Sequence, residues 1–198
     1  MDNIAFIKLI APLIQKQCIL RGYMFPSAII AQACLESNYG ESRLSKEYHN
    51  YFGIKAGAAW RGRRVNFKTM EEYKPGVLTQ INDDFRAYDD IKTGVCGYFE
   101  FLEKNSRYSG LKSATSPRDY LERIKAAGYA TSKQYVSNIE TLRELMKLDK
   151  YDYHGELVTA LDTIADYYIK GFFDSGDARK ENVYSITQAW CNKKLAEG

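Results

Sequence analysis

The chain has 198 residues, 45% hydrophobic and 27% charged, an ordinary globular composition that excludes wholesale disorder. Its 28 basic and 25 acidic residues leave a net charge of only +3, too balanced for nucleic acid to be the main partner. This length predicts one main domain with a small appendage and a core that needs no staples.

The N-terminus, Met1-Asp2-Asn3-Ile4, has no basic stretch and no small-residue cleavage site, so no secretory signal is expected. No run reaches the 18 or so continuous apolar residues of a membrane span. Ile4, Ile7 and Ile14 recur at helical spacing, predicting a helix over 4–21 with Asn3 as N-cap and Gly22 as stop. A second helix is expected from Pro26-Ser27. Between Ala28 and Leu35 only Gln32 is neither apolar nor small, the pattern of a helix buried nearly all round. It runs into Glu36-Ser37-Asn38-Tyr39-Gly40, with Gly40 as the stop.

Residues 41–62 read as irregular, broken by Gly53, Gly57 and Gly62. Residues 64–88 read as a hairpin: Val65 and Phe67 alternate, and Pro75-Gly76 is the pair of a type II turn. Helix resumes after Asp90, with Ile91, Val95, Tyr98 and Leu102 on one stripe. Ser116-Pro117-Arg118-Asp119 supplies an N-cap, a first-position proline and a first-turn acid for a helix that stops at Gly128. Another helix spans about 132–148. Residues 149–156 are polar and without period, and are read as a linker. Two helical patterns, 157–170 and 184–195, split by Gly171 and Gly176, make a small all-α module.

Cys18, Cys34, Cys96 and Cys191 stand far apart in apolar surroundings, and His49 and His154 are the only histidines. No metal site is expected, and the cysteines read as free, buried thiols of a chain made in a reducing compartment. Sixteen tyrosines are unusual. Their flat faces and hydroxyls suit sugar or peptide surfaces, although most are read as filling half-buried positions.

Glu36 carries the most chemistry. A carboxyl at the end of a buried helix loses solvation and feels the partial negative charge of the helix C-terminus. Both favour the protonated form, which is what a glycosidase needs to protonate a leaving oxygen.

The surrounding residues, Ala31-Gln32-Ala33-Cys34-Leu35-Glu36-Ser37-Asn38-Tyr39-Gly40-Glu41-Ser42, resemble the signature of the glucosaminidases of glycoside hydrolase family 73. Three further blocks resemble that family in the same order: Asn50-Tyr51-Phe52-Gly53-Ile54-Lys55, Phe85-Arg86-Ala87-Tyr88, and Gly128-Tyr129-Ala130-Thr131 followed by Tyr135. The resemblance implies an α+β, mainly α, lysozyme-like catalytic domain over 1–148 with a small β-hairpin lobe. It implies an endo-β-N-acetylglucosaminidase that cuts peptidoglycan glycan strands after N-acetylglucosamine, with no metal and no cofactor.

In this resemblance Glu36 is the general acid. The second carboxylate falls on Glu72, which precedes Tyr73 and lies 13 residues before Phe85. Glu71 would face the other side of a strand. Tyr129 and Tyr135 match groove positions, with Asn50, Phe52 and Tyr88 placed with them as substrate contacts or groove edge. Arg86 and Lys55 are read as satisfying local carbonyls or carboxylates. After the 149–156 linker, residues 157–198 resemble a short helical wall-binding repeat of phage lysins, with Arg179, Gln188 and Asn192 at matching positions. Phe173 replaces its usual tryptophan.

The whole then reads as a phage endolysin, made in the bacterial cytoplasm, acting on the wall after release, and pairing with a second copy through its tail. No membrane insertion is expected. A muramidase or lytic transglycosylase on the same scaffold, and a wall-binding protein without hydrolysis, are the rival readings.

Overall fold

The computed structural model describes residues 2–74 and 77–152, and for residues 69–81 the backbone alone. The chain divides into two units, 1–152 and 153–198. The expected C-terminal module, with Arg179, Gln188, Asn192 and Cys191, lies outside the described residues, as does the Pro75-Gly76 turn.

Helix α1 spans Asn3–Arg21. Asp2 rather than Asn3 is its cap, accepting from the Ile4 amide. Gly22, left-handed at φ 75°, closes its other end. Phe6, Ile7, Ile10, Ala11, Ile14 and Cys18 form its buried face. Although Lys8, Gln15, Lys16 and Gln17 interrupt its apolar residues, α1 is by length and composition long and apolar enough to cross a membrane, and a third of its most apolar stretch is buried in the body.

Helix α2, Pro26–Ser37, is the central element, with every residue from Pro26 to Cys34 buried. Its own N-cap position is Phe25, which offers no side-chain acceptor. The acceptor comes from 125 residues further on: Asp152 takes the Ser27 amide at 2.7 Å and the Ser27 hydroxyl at 2.6 Å. Residues Leu148–Tyr151 form a 3-10 turn with Leu148 fully buried. The first four residues of the expected 149–156 linker therefore belong to the folded body, because their carboxylate is needed where α2 has none.

A short helix α3, Arg43–Tyr48, interrupts the stretch expected to be irregular. Strands β1 (Arg64–Lys74) and β2 (Val77–Arg86) make one antiparallel hairpin, registered from Arg64↔Arg86 to Lys74↔Val77, with an irregularity between Glu72 and Lys74. Residues 54–56 pair with the base of β2: Arg86 N donates to Ile54 O at 2.9 Å and Ala56 N to Asp84 O at 2.7 Å. Three helices complete the body: α4, Ile91–Lys104, opened by a capping box of Asp90 and Thr93; α5, Pro117–Ala126, capped by Ser116; and α6, Tyr135–Leu145. A 3-10 segment, Ser106–Ser113, links α4 to α5. The result is mainly α with a small hairpin.

The core is rich in tyrosine. Tyr98, Tyr108 and Tyr120 are among its largest fully buried side chains. Tyr98 stacks on Phe52, ring centroids 3.8 Å apart and 15° between planes. Cys18 and Cys34 are buried free thiols, and Cys96 is half-buried and free.

Candidate active site

Glu36 stands in the last turn of α2, half-buried. Burial pushes its carboxyl from the ordinary 4.5 up to about 7, against a Tyr135 hydroxyl bond that pulls it down. At neutral pH about half the molecules would carry the proton.

The turn after Glu36 explains much of the surrounding motif. Asn38, Tyr39 and Gly40 are all left-handed, at φ 50°, 53° and 76°. A side chain at Gly40 would also press a Cβ to 2.8 Å from the Phe6 ring, so only glycine fits there. Ser37 bonds the Ala33 carbonyl at 2.6 Å and accepts the Gly40 amide at 2.8 Å. Ser42 caps α3, accepting the Ser45 amide at 3.2 Å. These five residues reverse the chain sharply and leave the Glu36 carboxyl at the end of the helix.

Gly53 faces Glu36 from the next block. It is left-handed at φ 62°, and a Cβ there would lie 3.7 Å from Glu36 Oε2. Its neighbour Asn50 is buried: Nδ2 donates to Ile54 O and Arg86 O, both at 2.9 Å, and Oδ1 accepts the Ile54 amide at 3.0 Å. Asn50 thus ties the Gly53 loop to the base of the hairpin.

Two tyrosines come with them. Tyr135, at the first turn of α6, is buried and meets Glu36 through its hydroxyl. Tyr129 is half-buried, donates to Phe52 O at 2.7 Å, and lies with its ring centroid 6.3 Å from that of Tyr135. Burial and the nearby Glu36 carboxyl push both phenols up, so both stay neutral donors.

Of the residues expected in the site, the structure brings together Glu36, Tyr129 and Tyr135. Asn50, Phe52 and Tyr88 are buried, at 2%, 1% and 7% exposure, so they shape the walls from behind. Phe52 reaches the site through its carbonyl, not its ring. Tyr88 packs so closely on α4 that a Cβ at Gly97 would fall 2.3 Å from its ring. Lys55 pairs with Asp83 at 2.8 Å, and the Arg86 guanidinium lies 4.4 Å from the Trp60 ring centroid and 5.2 Å from that of Phe101. Glu72 sits on β1 opposite Leu78, one place beyond Glu71 opposite Thr79.

Sequence reasoning missed Gln32. Fully buried one turn before Glu36, it donates from Nε2 to the Tyr135 hydroxyl at 2.8 Å and accepts from the Tyr98 hydroxyl on Oε1 at 2.7 Å. The signal was there, as the one residue between Ala28 and Leu35 that is neither apolar nor small. Among the described residues, no group of three or more His, Cys, Asp or Glu lies together as a metal site.

Comparison with known proteins places this arrangement. Residues 12–148 match the glucosaminidase family, described as mannosyl-glycoprotein endo-beta-N-acetylglucosaminidase. The chain is similar to the peptidoglycan hydrolase FlgJ of Pseudomonas aeruginosa, 33% identical over 124 residues, which are 60% of this chain and 31% of that protein. It is also similar to the exo-glucosaminidase LytG of Bacillus subtilis, 28% identical over 135 residues, 66% of this chain and 47% of that one. The chain thus spans under half the length of these relatives. The crystal structure of the catalytic domain of the autolysin Auto from Listeria monocytogenes superposes with a TM-score of 0.64 at 31% identity, covering 76% of this chain and 87% of that domain. With its lysozyme-like body, its Glu36 turn and this match over most of the folded unit, the chain belongs to the glucosaminidase family of glycoside hydrolases, family 73.

Proposed function

We propose that this chain hydrolyses the β-1,4 bond after N-acetylglucosamine in the glycan strands of bacterial peptidoglycan. The observation that carries this reading is a half-buried carboxyl, held near pH 7, at the end of a buried helix and faced by two neutral tyrosines. Glu36 protonates the glycosidic oxygen as the bond to the anomeric carbon breaks. The leaving sugar departs as an alcohol. Positive charge then develops on the remaining sugar ring. Glu72, brought by the hairpin, stabilises that charge or activates the attacking water, unless the substrate's own N-acetyl group acts as the nucleophile. Tyr129 offers a flat ring for a sugar face at the groove wall.

The family match and the FlgJ and LytG relatives support a peptidoglycan substrate. The phage-endolysin role is a further part of this proposal. It rests on the resemblance of residues 171–192 to a wall-binding repeat, which would hold the enzyme on an insoluble substrate and raise its local concentration. The test is reducing-end analysis of purified walls after digestion. New N-acetylglucosamine reducing ends are expected. New N-acetylmuramic acid ends, hydrated or anhydro, would make the protein a muramidase or a lytic transglycosylase instead.

A further inference from the structure

Behind Glu36 runs a chain of buried polar groups. The Tyr120 and Tyr98 hydroxyls are 2.8 Å apart, Tyr98 donates to Gln32 Oε1 at 2.7 Å, Gln32 Nε2 donates to the Tyr135 hydroxyl at 2.8 Å, and Tyr135 meets Glu36. The groups come from α5, α4, α2 and α6, so the chain also ties these four helices to the acid. Tyr98, Tyr120 and Gln32 are at most 1% exposed.

The direction of the chain follows from what each group can do. A hydroxyl has one hydrogen, and an amide donates only from its nitrogen. Tyr98 gives its hydrogen to Gln32, so its oxygen receives the Tyr120 hydrogen. Gln32 gives an N–H to the Tyr135 oxygen, so the single Tyr135 hydrogen is left for Glu36. Every hydrogen points toward the carboxyl. When Tyr135 gives that hydrogen to one carboxyl oxygen, the acid proton is left on the other.

We propose that Gln32 and Tyr98 are positioning residues that fix Tyr135 as a donor to one oxygen of Glu36, so that the acid proton is presented on the other oxygen, toward the scissile bond. The catalytic meaning rests on Glu36 being the general acid; the direction of the hydrogen bonds does not. Turning the Gln32 amide over would reverse the chain: Tyr135 would donate to Gln32, and Glu36 would lose its donor. It would also turn the Tyr98 hydrogen onto Tyr120 and leave the buried Tyr120 hydroxyl with a hydrogen and no acceptor among the described residues, a cost that the present sense avoids. Buried networks of this kind polarise one another, so the Tyr98 oxygen, three hydrogen bonds away, is felt at the carboxyl.

The test removes that oxygen. Tyr98→Phe keeps the ring and its stack on Phe52; Gln32→Met removes the amide; Tyr135→Phe removes the final donor. The carboxyl carbon of Glu36 is titrated by 13C NMR in each, assigned by its loss in Glu36→Gln, beside the pH profile of kcat on purified walls. Tyr135 stabilises the ionised carboxylate, so losing its hydrogen raises the titration midpoint. A rise of about one pH unit is expected for Tyr135→Phe. Tyr98→Phe and Gln32→Met should move the midpoint the same way, and the alkaline limb of kcat should follow. Tyr98→Phe combined with Tyr135→Phe should shift no further than Tyr135→Phe alone. A merely structural role would lower melting temperature without moving the midpoint. An unmoved midpoint in both Tyr98→Phe and Gln32→Met, or additive shifts in the double variant, overturns the proposal. A moved midpoint with an unmoved rate profile overturns Glu36 as the acid, and with it the catalytic meaning of the relay.

Discussion

Glu36→Gln should make the protein more stable above neutral pH and leave it unchanged in acid. Burial raises the Glu36 carboxyl from 4.5 to about 7 in the folded state. The folded chain therefore binds this proton more tightly than the unfolded chain. Below pH 4.5 the carboxyl is neutral in both states and contributes nothing against folding. As pH rises from 4.5 to 7, the unfolded chain ionises freely while the folded chain resists, and stability falls. Above 7 the loss is complete. A shift of about 2.5 units is worth about 3 kcal/mol at 1.36 kcal/mol per unit. Glutamine keeps the size, still accepts from Tyr135, and does not ionise. The difference in unfolding free energy between the two proteins should then be near zero at pH 4 and about 2–3 kcal/mol in favour of Glu36→Gln at pH 8. At about 2–4 °C per kcal/mol this is readily seen by calorimetry. All other titrating groups cancel in the difference. A difference that is flat with pH would refute a carboxyl held neutral by burial, and a wild type more stable at pH 8 would reverse the sign.

Three further outcomes are expected. Glu72→Gln should lower wall hydrolysis more than Glu71→Gln, since adjacent strand residues face opposite sides; the reverse order in the same assay would move the second carboxylate by one residue. A chain ending after Asp152 should fold and cut soluble glycan fragments but lyse whole walls poorly, whereas one ending after Leu148 should lose about 1–3 kcal/mol of stability with the Asp152 cap on α2, read by urea denaturation; equal stability of the two would remove that cap from consideration. Thiol titration of the denatured, unreduced protein should count four free cysteines, and a count of two would overturn the reading of all four as unpaired.

Much of the body was legible because local chemistry and burial agree. The small and apolar run before Glu36, broken only by Gln32, reads as a helix buried nearly all round, and α2 is that helix. Ser116-Pro117 opens α5 as its residue types require. The neighbouring residues Asp2 and Asn3 are equally good caps by type, so the start of α1 was displaced by one. The α3 helix is only six residues long, too short to print a period. Asp152 was unreadable as a cap because it serves a helix 125 residues away in sequence. Asn50, Phe52 and Tyr88 carry the family pattern, yet they are buried. A motif records that a residue type is required without saying whether it faces the cleft or supports the wall. The tyrosines were read as filling half-buried positions, but Tyr98 and Tyr120 are fully buried, since each hydroxyl finds a partner that repays its desolvation.

The role of Glu36 is most directly tested by the hydrolysis rate of Glu36→Gln on purified peptidoglycan beside the wild type, with both shown to be folded by circular dichroism. Loss of the proton donor should reduce the rate by about 10²–10⁴-fold while wall binding is kept. A folded Glu36→Gln that retains a tenth or more of wild-type activity would contradict Glu36 as the general acid.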